Sequence, residues 1–118
     1  MLTVYGIREC DSCRQARKWL DRQGIAHRFH DLRRDGLEEA TVRAWLGSGF
    51  ADQLLNRRSA TWRALTEQQR NLQGAARVAL LLEHPTLIKR PVWVDREVIA
   101  VGFDPERLQQ RLAARGVR

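Results

Sequence analysis

A single C-x-x-C pair, Cys10-Asp-Ser-Cys13, stands where a short strand gives way to an amphipathic helix, and this junction constrains the fold more than any other feature of the chain. Leu2 to Ile7 is rich in Val, Tyr and Ile and predicts a strand. Cys10 to Gln23 predicts a helix, because Ala16, Trp19, Leu20 and Gln23 follow the i, i+3, i+4, i+7 spacing and Gly24 supplies a stop. Ile25 to His30 predicts a second strand. The chain therefore begins β-α-β, with both cysteines at the first strand-to-helix step.

The rest of the chain completes a pattern. Asp35-Gly-Leu-Glu38 reads as a capping box, with Asp35 as the cap, opening a helix whose Val42, Trp45 and Leu46 share a face. Short helical pieces follow between Phe50 and Leu72, including a Thr66…Gln69 cap signal. Gly74 to Glu83 predicts a helix with Ala75, Ala76, Ala79 and Leu80 inward, closed by His84-Pro85. Pro91 to Val94, a turn at Asp95-Arg96, and Val98 to Val101 predict a β-hairpin. Asp104-Pro105 is an N-cap followed by proline at the first helical position, Leu108 and Leu112 carry the inner face, and Gly116 ends the helix. The order is β-α-β, a helical insert over about 35–85, then β-β-α. This is the α/β, thioredoxin-like arrangement on a mixed four-stranded sheet. At 118 residues a single domain over 1–118 is expected, burying roughly two-thirds of its unfolded surface, enough for a core without metals or disulfides.

Composition narrows the function classes. With 43% hydrophobic and 30% charged residues the chain is a folded globular protein, not a disordered tail. The longest apolar run, Val78 to Leu82, is too short to cross a membrane, and the start meets Arg8-Glu9 too soon for a secretory signal. A cytoplasmic monomer with no membrane contact is expected. The net charge of +7 is spread over both halves without a basic arm, so direct DNA binding is not expected. Nineteen of the 21 basic residues are arginine, whose planar fork suits oxyanions, although most of them read as solvated surface.

Three readings of the cysteine pair compete. In the redox reading, Cys10 at a helix N-terminus gains free N–H groups and a positive dipole end that favour the thiolate, the reactive form. Arg8 and Arg14 flank it and add positive potential, while Asp11 works in the opposite sense. Cys13, one turn into the helix, is placed to displace a leaving group from Cys10, the resolving role. In the packing reading both are small buried hydrophobes, which suits an inward-facing Cys13 but not Cys10. The zinc reading would use Cys10, Cys13, His27 and His30, but the histidines are too closely spaced and a strand sends them to opposite faces. No metal is expected. Two cationic segments, Asn56-Arg57-Arg58-Ser59 and Leu87-Ile-Lys-Arg90-Pro91, suggest with the nucleophile a small pocket for an oxyanion or carboxylate.

Cys10-Asp-Ser-Cys-Arg-Gln-Ala-Arg-Lys-Trp-Leu20, Leu54-Leu-Asn-Arg-Arg-Ser59, and Glu83-His-Pro-Thr-Leu-Ile-Lys-Arg-Pro91 followed by Gly102-Phe103 resemble the ArsC-like superfamily, and within it the Spx/MgsR/YffB branch. The resemblance runs from Val4 to about Leu112. It implies a thioredoxin-like core with a helical insert, a nucleophilic Cys10, and Arg90 preceding a cis-proline at Pro91, with Arg14, Arg57 and Arg58 as further anion-binding candidates. Arsenate reductases of the superfamily hold their anion with three arginines. Arg90 matches one, Asn56 stands at a second and Gly102 at the third, so arsenate reduction is the least supported reading. Thr61-Trp62-Arg63 and Phe29-His30-Asp31 are similar to YffB-like proteins, which implies a glutathione-dependent thiol reductase with glutathione as co-substrate. The C-x-x-C and the Asn56–Ser59 loop are similar to Spx-type regulators, which implies the alternative: a redox-sensing regulator that binds the RNA polymerase α subunit.

Overall fold

The structure, a computed structural model, describes residues 1–117. The chain divides into two compact units: one formed by Met1–Asp35 with the segment from Arg90 onward, the other by Gly36–Lys89. The first unit carries the sheet. Strands β1 (Leu2–Gly6), β2 (His27–Asp31), β3 (Val92–Asp95) and β4 (Glu97–Val101) lie in the order β2-β1-β3-β4. β1 runs parallel to β2 and antiparallel to β3, and β3 and β4 form an antiparallel hairpin. This is the thioredoxin-like α/β arrangement with a mixed four-stranded sheet.

Helix α1 (Asp11–Gln23) connects the parallel strands, and helix α6 (Pro105–Ala114) follows the hairpin. Alternation along β1 turns Leu2 and Val4 to one face. There they join Ala16, Trp19 and Leu20 of α1, Leu108 and Leu112 of α6, and Trp93, Ile99 and Ala100 of the hairpin in one core cluster. Trp93 is fully buried and its indole N–H donates to the Gly102 carbonyl at 2.7 Å, so its one polar atom is satisfied. α6 starts as anticipated: the Asp104 carboxylate accepts from the Arg107 N–H at 3.3 Å and Pro105 takes the first helical position.

β2 begins at His27, not Ile25. Gly24 adopts the left-handed conformation at φ 67°, and the Ile25 N–H reaches back to the Leu20 carbonyl at 3.1 Å. That six-to-one bond closes a Schellman cap, so Ile25 finishes the helix instead of opening the strand. Asp35 likewise is not a helix cap. Its carboxylate accepts from the Asp31 N–H at 2.8 Å, the chain turns at Gly36 (φ 84°), and the helix begins only at Glu39.

The second unit is helical: α2 (Glu39–Leu46), α3 (Ala60–Ala64), α4 (Glu67–Arg70) and α5 (Gly74–Glu83), with short 3-10 turns at Ala51–Gln53 and Pro85–Leu87. α4 opens on the Thr66/Gln69 capping box, with both reciprocal bonds present. The buried face of α5 is Val78, Leu80 and Leu81, whereas Ala75, Ala76 and Ala79 are exposed. The larger side chains remove more apolar area from water and set the rotation of the helix, which corrects the alanine face expected from spacing. The unit closes on itself where Leu55 bridges Ile88, with the Lys89 N–H donating to the Leu54 carbonyl and Asn56 N–H to the Leu87 carbonyl, both at 2.7 Å.

Candidate active site

β1 ends at Gly6, and a turn closed by the Cys10 N–H to Ile7 carbonyl bond at 3.0 Å delivers Cys10 to the N-cap of α1. Cys10 is extended (φ −72°, ψ 129°) while its carbonyl already accepts the first helical bond, from the Arg14 N–H at 3.0 Å. Both thiols are free, Cys10 half-buried and Cys13 fully buried. Gly6 makes room for this: a Cβ there would stand 2.5 Å from the Cys13 Sγ and 3.3 Å from the Phe29 ring. Arg90 reaches the same place from the far end of the unit, and the Arg90–Pro91 bond is cis. Gly102 packs beside that bond, its N–H donating to the Pro91 carbonyl at 2.8 Å, and its φ of 86° is a conformation that an arginine would enter only with strain.

The electrostatics separate the two thiols. Burial pushes the Cys10 thiol up, but the Cys13 N–H, a hydrogen bond from Arg90, the Cys13 thiol and the Arg90 charge together outweigh it and hold Cys10 below the ordinary thiol value. The Cys13 N–H lies in the first turn of α1, where a hydrogen bond to the sulfur favours its anionic form. Cys13 moves the other way, to about 12. Burial dominates; the Ile7 N–H is the main opposing influence, and the neighbouring Cys10 anion adds to the rise. The thiolate is thus favoured at Cys10 and the neutral thiol at Cys13.

The remaining candidates make contacts of their own. Arg14 is exposed and ion-paired to Asp11 at 3.7 Å, which also screens the acidic residue expected to oppose the thiolate. Arg57 and Arg58 are exposed residues of the second unit, and Arg57 lies over the Trp62 ring at 5.5 Å. Arg70 covers the same indole, also at 5.5 Å, and donates to the Trp62 and Arg63 carbonyls at 3.2 and 3.1 Å. His27 spends its Nδ1–H on the Ile25 carbonyl at 2.8 Å, and His30 packs on Tyr5 with ring centroids 4.8 Å apart. Among the described residues no cluster of three His, Cys, Asp or Glu is arranged to hold a metal.

Sequence reasoning missed Asp31. It is wholly buried and its carboxylate accepts from the N–H groups of Arg8, Arg33 and Arg34 at 3.0, 2.9 and 3.0 Å. Its burial penalty is outweighed by these bonds, and the carboxyl is held below the usual range. A single aspartate at a strand end has no periodic signature; the only hint is that it closes the Phe29-His30-Asp31 stretch.

Comparison with known proteins agrees with this architecture. An uncharacterized protein of Haemophilus influenzae is 42% identical over 115 residues, covering 96% of this chain and all of the relative. The global transcriptional regulator Spx of Streptococcus agalactiae is 26% identical over 112 residues, 92% of this chain and 81% of that protein. Among solved structures, a YffB protein superposes with a TM-score of 0.85 at 35% identity over 95% of this chain and 99% of that one. An arsenate reductase (ArsC) related protein from Brucella melitensis gives 0.74 at 38% identity over 92% of each. The model of the ArsC family matches residues 5–111, which include both cysteines, Arg90, Pro91 and Gly102, and the chain belongs to that family.

Proposed function

We propose that the protein is a cytoplasmic thiol–disulfide oxidoreductase that uses glutathione as its reducing thiol. The observation that carries this reading is the opposed pair of thiols: Cys10 favoured as thiolate by Arg90 and the helix N-terminus, Cys13 kept protonated beside it. The Cys10 thiolate attacks one sulfur of a substrate disulfide, the S–S bond breaks, and one substrate thiolate leaves. The mixed disulfide at Cys10 is then opened either by a glutathione thiolate or by Cys13. Forming the mixed disulfide removes the Cys10 anion, and with it one of the causes that raise Cys13, so Cys13 becomes a competent resolving thiol only after the first step. Two glutathiones supply the two electrons and leave as glutathione disulfide.

Arg90 also presents a guanidinium for a carboxylate or oxyanion of the substrate. A dedicated arsenate site is disfavoured because Gly102 and Asn56 stand at two family arginine positions. The test is a glutathione-coupled assay with a small mixed disulfide as substrate, beside intact mass. Wild type should turn over and form a glutathione adduct, Cys10→Ser should do neither, and Cys13→Ser should accumulate the adduct. Absence of any adduct on Cys10 overturns the reading.

A second reading, a redox-sensing regulator that docks on the RNA polymerase α subunit, is favoured by the Spx relatives and by the exposed Arg57 and Arg58, for which no carboxylate partner is found among the described residues. A pull-down with the α subunit, lost in Arg57→Ala/Arg58→Ala, would support it.

A further inference from the structure

Asp31 takes no part in the chemistry above, yet it is the one buried charged or polar side chain among the described residues. Burying a carboxylate is costly unless its lone pairs are met. Here they are met from two different turns. Arg33 and Arg34, whose N–H groups bind Oδ1, follow directly in sequence and make an ordinary local turn. Arg8, whose N–H binds Oδ2, lies 23 residues earlier, inside the Ile7–Cys10 turn that delivers the thiol.

Topology explains the reach. β1 and β2 are parallel with Gly6 opposite Asp31, so both strands end at one level and the Asp31 carboxylate overhangs the turn that leaves β1. The ladder continues one step beyond, with the Leu32 N–H donating to the Gly6 carbonyl at 2.8 Å. Glu9, the next residue of the turn, pairs with Arg34 at 2.9 Å. Both central residues of the turn are therefore held from the end of β2, Arg8 by Asp31 and Glu9 by Arg34 of the following loop.

We propose that Asp31 is a positioning residue for Cys10: its carboxylate holds the Arg8 amide, and thereby the Ile7–Cys10 turn, where the Cys10 sulfur meets the Cys13 N–H and the Arg90 guanidinium. An N–H bond to an ionised carboxylate is charge-assisted and stronger than a neutral one. Both interactions of the sulfur weaken quickly with distance, so a small shift of the turn is felt at the thiol. The charged groups facing Asp31 are Arg8 and Arg34, with Asp35 bound to its own N–H; those facing Cys10 are Cys13 and Arg90. The sign of the effect is diagnostic. If Asp31 acted only as a nearby negative charge, removing it would ease Cys10 ionisation; if it positions the turn, removing it hinders ionisation.

The proposal rests only on Cys10 being the reactive thiol, and its readout is independent of glutathione. The experiment is the pH profile of Cys10 alkylation by iodoacetamide, resolved by peptide mass, in the full chain. Asp31→Asn keeps the volume but sets an amide N–H₂ against one of the three N–H donors. Arg8→Pro removes the donor and leaves the carboxylate, at a turn position where proline is favoured. In whichever of these folds, the profile should move to higher pH, with labelling at pH 7 slowed roughly fivefold to tenfold. Asp35→Asn, which loosens the same loop without touching the turn, should leave the profile in place, and Arg8→Ala, which loses the same charge as Arg8→Pro but keeps the N–H, should shift it less than Arg8→Pro does. A folded Asp31→Asn or Arg8→Pro whose profile stays put or moves to lower pH overturns the proposal, as does an equal shift in Asp35→Asn. A shifted profile in a protein that lacks glutathione turnover sinks the functional reading and supports the positioning role.

Discussion

Arg90 stands 80 positions from Cys10, and its guanidinium both donates a hydrogen bond and lends charge to that thiolate. Arg90→Ala should therefore slow alkylation of Cys10 at neutral pH by roughly tenfold, the consequence of losing a charge-assisted contact. Arg96→Ala, in the hairpin turn, should leave the rate unchanged and serves as control. Cys13 makes a separate prediction for stability. Its folded value lies near 12, above the ordinary thiol value near 8.5, so between these pH values the unfolded chain releases a proton that the folded chain retains. Stability held below about pH 8.5 is lost as the pH rises toward 12. Under reducing conditions Cys13→Ala should flatten this alkaline loss in denaturant titrations; an unchanged slope would show that Cys13 ionises as readily folded as unfolded.

At the scale of elements, local chemistry was legible and long-range chemistry was not. α1 could be read from Ala16, Trp19 and Leu20 with Gly24 as stop, and α6 from Asp104-Pro105 with Leu108 and Leu112, because cap and periodicity lie within a dozen residues. α6 offers a direct check: Asp104→Ala removes the bond to the Arg107 N–H and should cost about 1 kcal/mol, read as a lower Tm. The alanine face assigned to α5 failed because spacing alone does not weigh side-chain size, and Val78 and Leu81 had more area to bury. Asp35 had the spacing of a capping box, but the demand of the Asp31 N–H won. The strand content of the hairpin was plain, whereas its irregularity was not: the register shifts between Trp93 and Val94, and the Ile99 carbonyl accepts from Arg111 of α6 at 2.7 Å. Within the site, the cysteines were legible from their own spacing, and Arg90 with its cis-proline only through the family resemblance. Asp31 as a hub was invisible, since its decisive partner is a backbone N–H that any residue would provide.

Taken whole, the molecule carries a net charge of +7 and a sequence pI near 10.9, with arginine as nearly all of its cationic charge. Such a field raises the local concentration of anions. Cys10 should react with an anionic aromatic disulfide faster than with a neutral disulfide of matched leaving-group pKa. The advantage should shrink between 0.01 and about 0.5 M salt, as the screening length falls from roughly 30 Å to a few ångströms. A ratio insensitive to salt would mean that only short-range contacts act at the thiol. The interrupted course of the chain has a consequence in time. The segment bearing Cys10 is made early, the helical unit Gly36–Lys89 follows, and only then does Arg90 appear. At about 5–20 residues per second, on the order of ten seconds of translation separate the cysteine from its cation. A nascent chain on the ribosome thus displays a thiol without its guanidinium, and full activation arrives only when β3 docks between β1 and β4, so that the newborn protein is chemically quieter than the finished one.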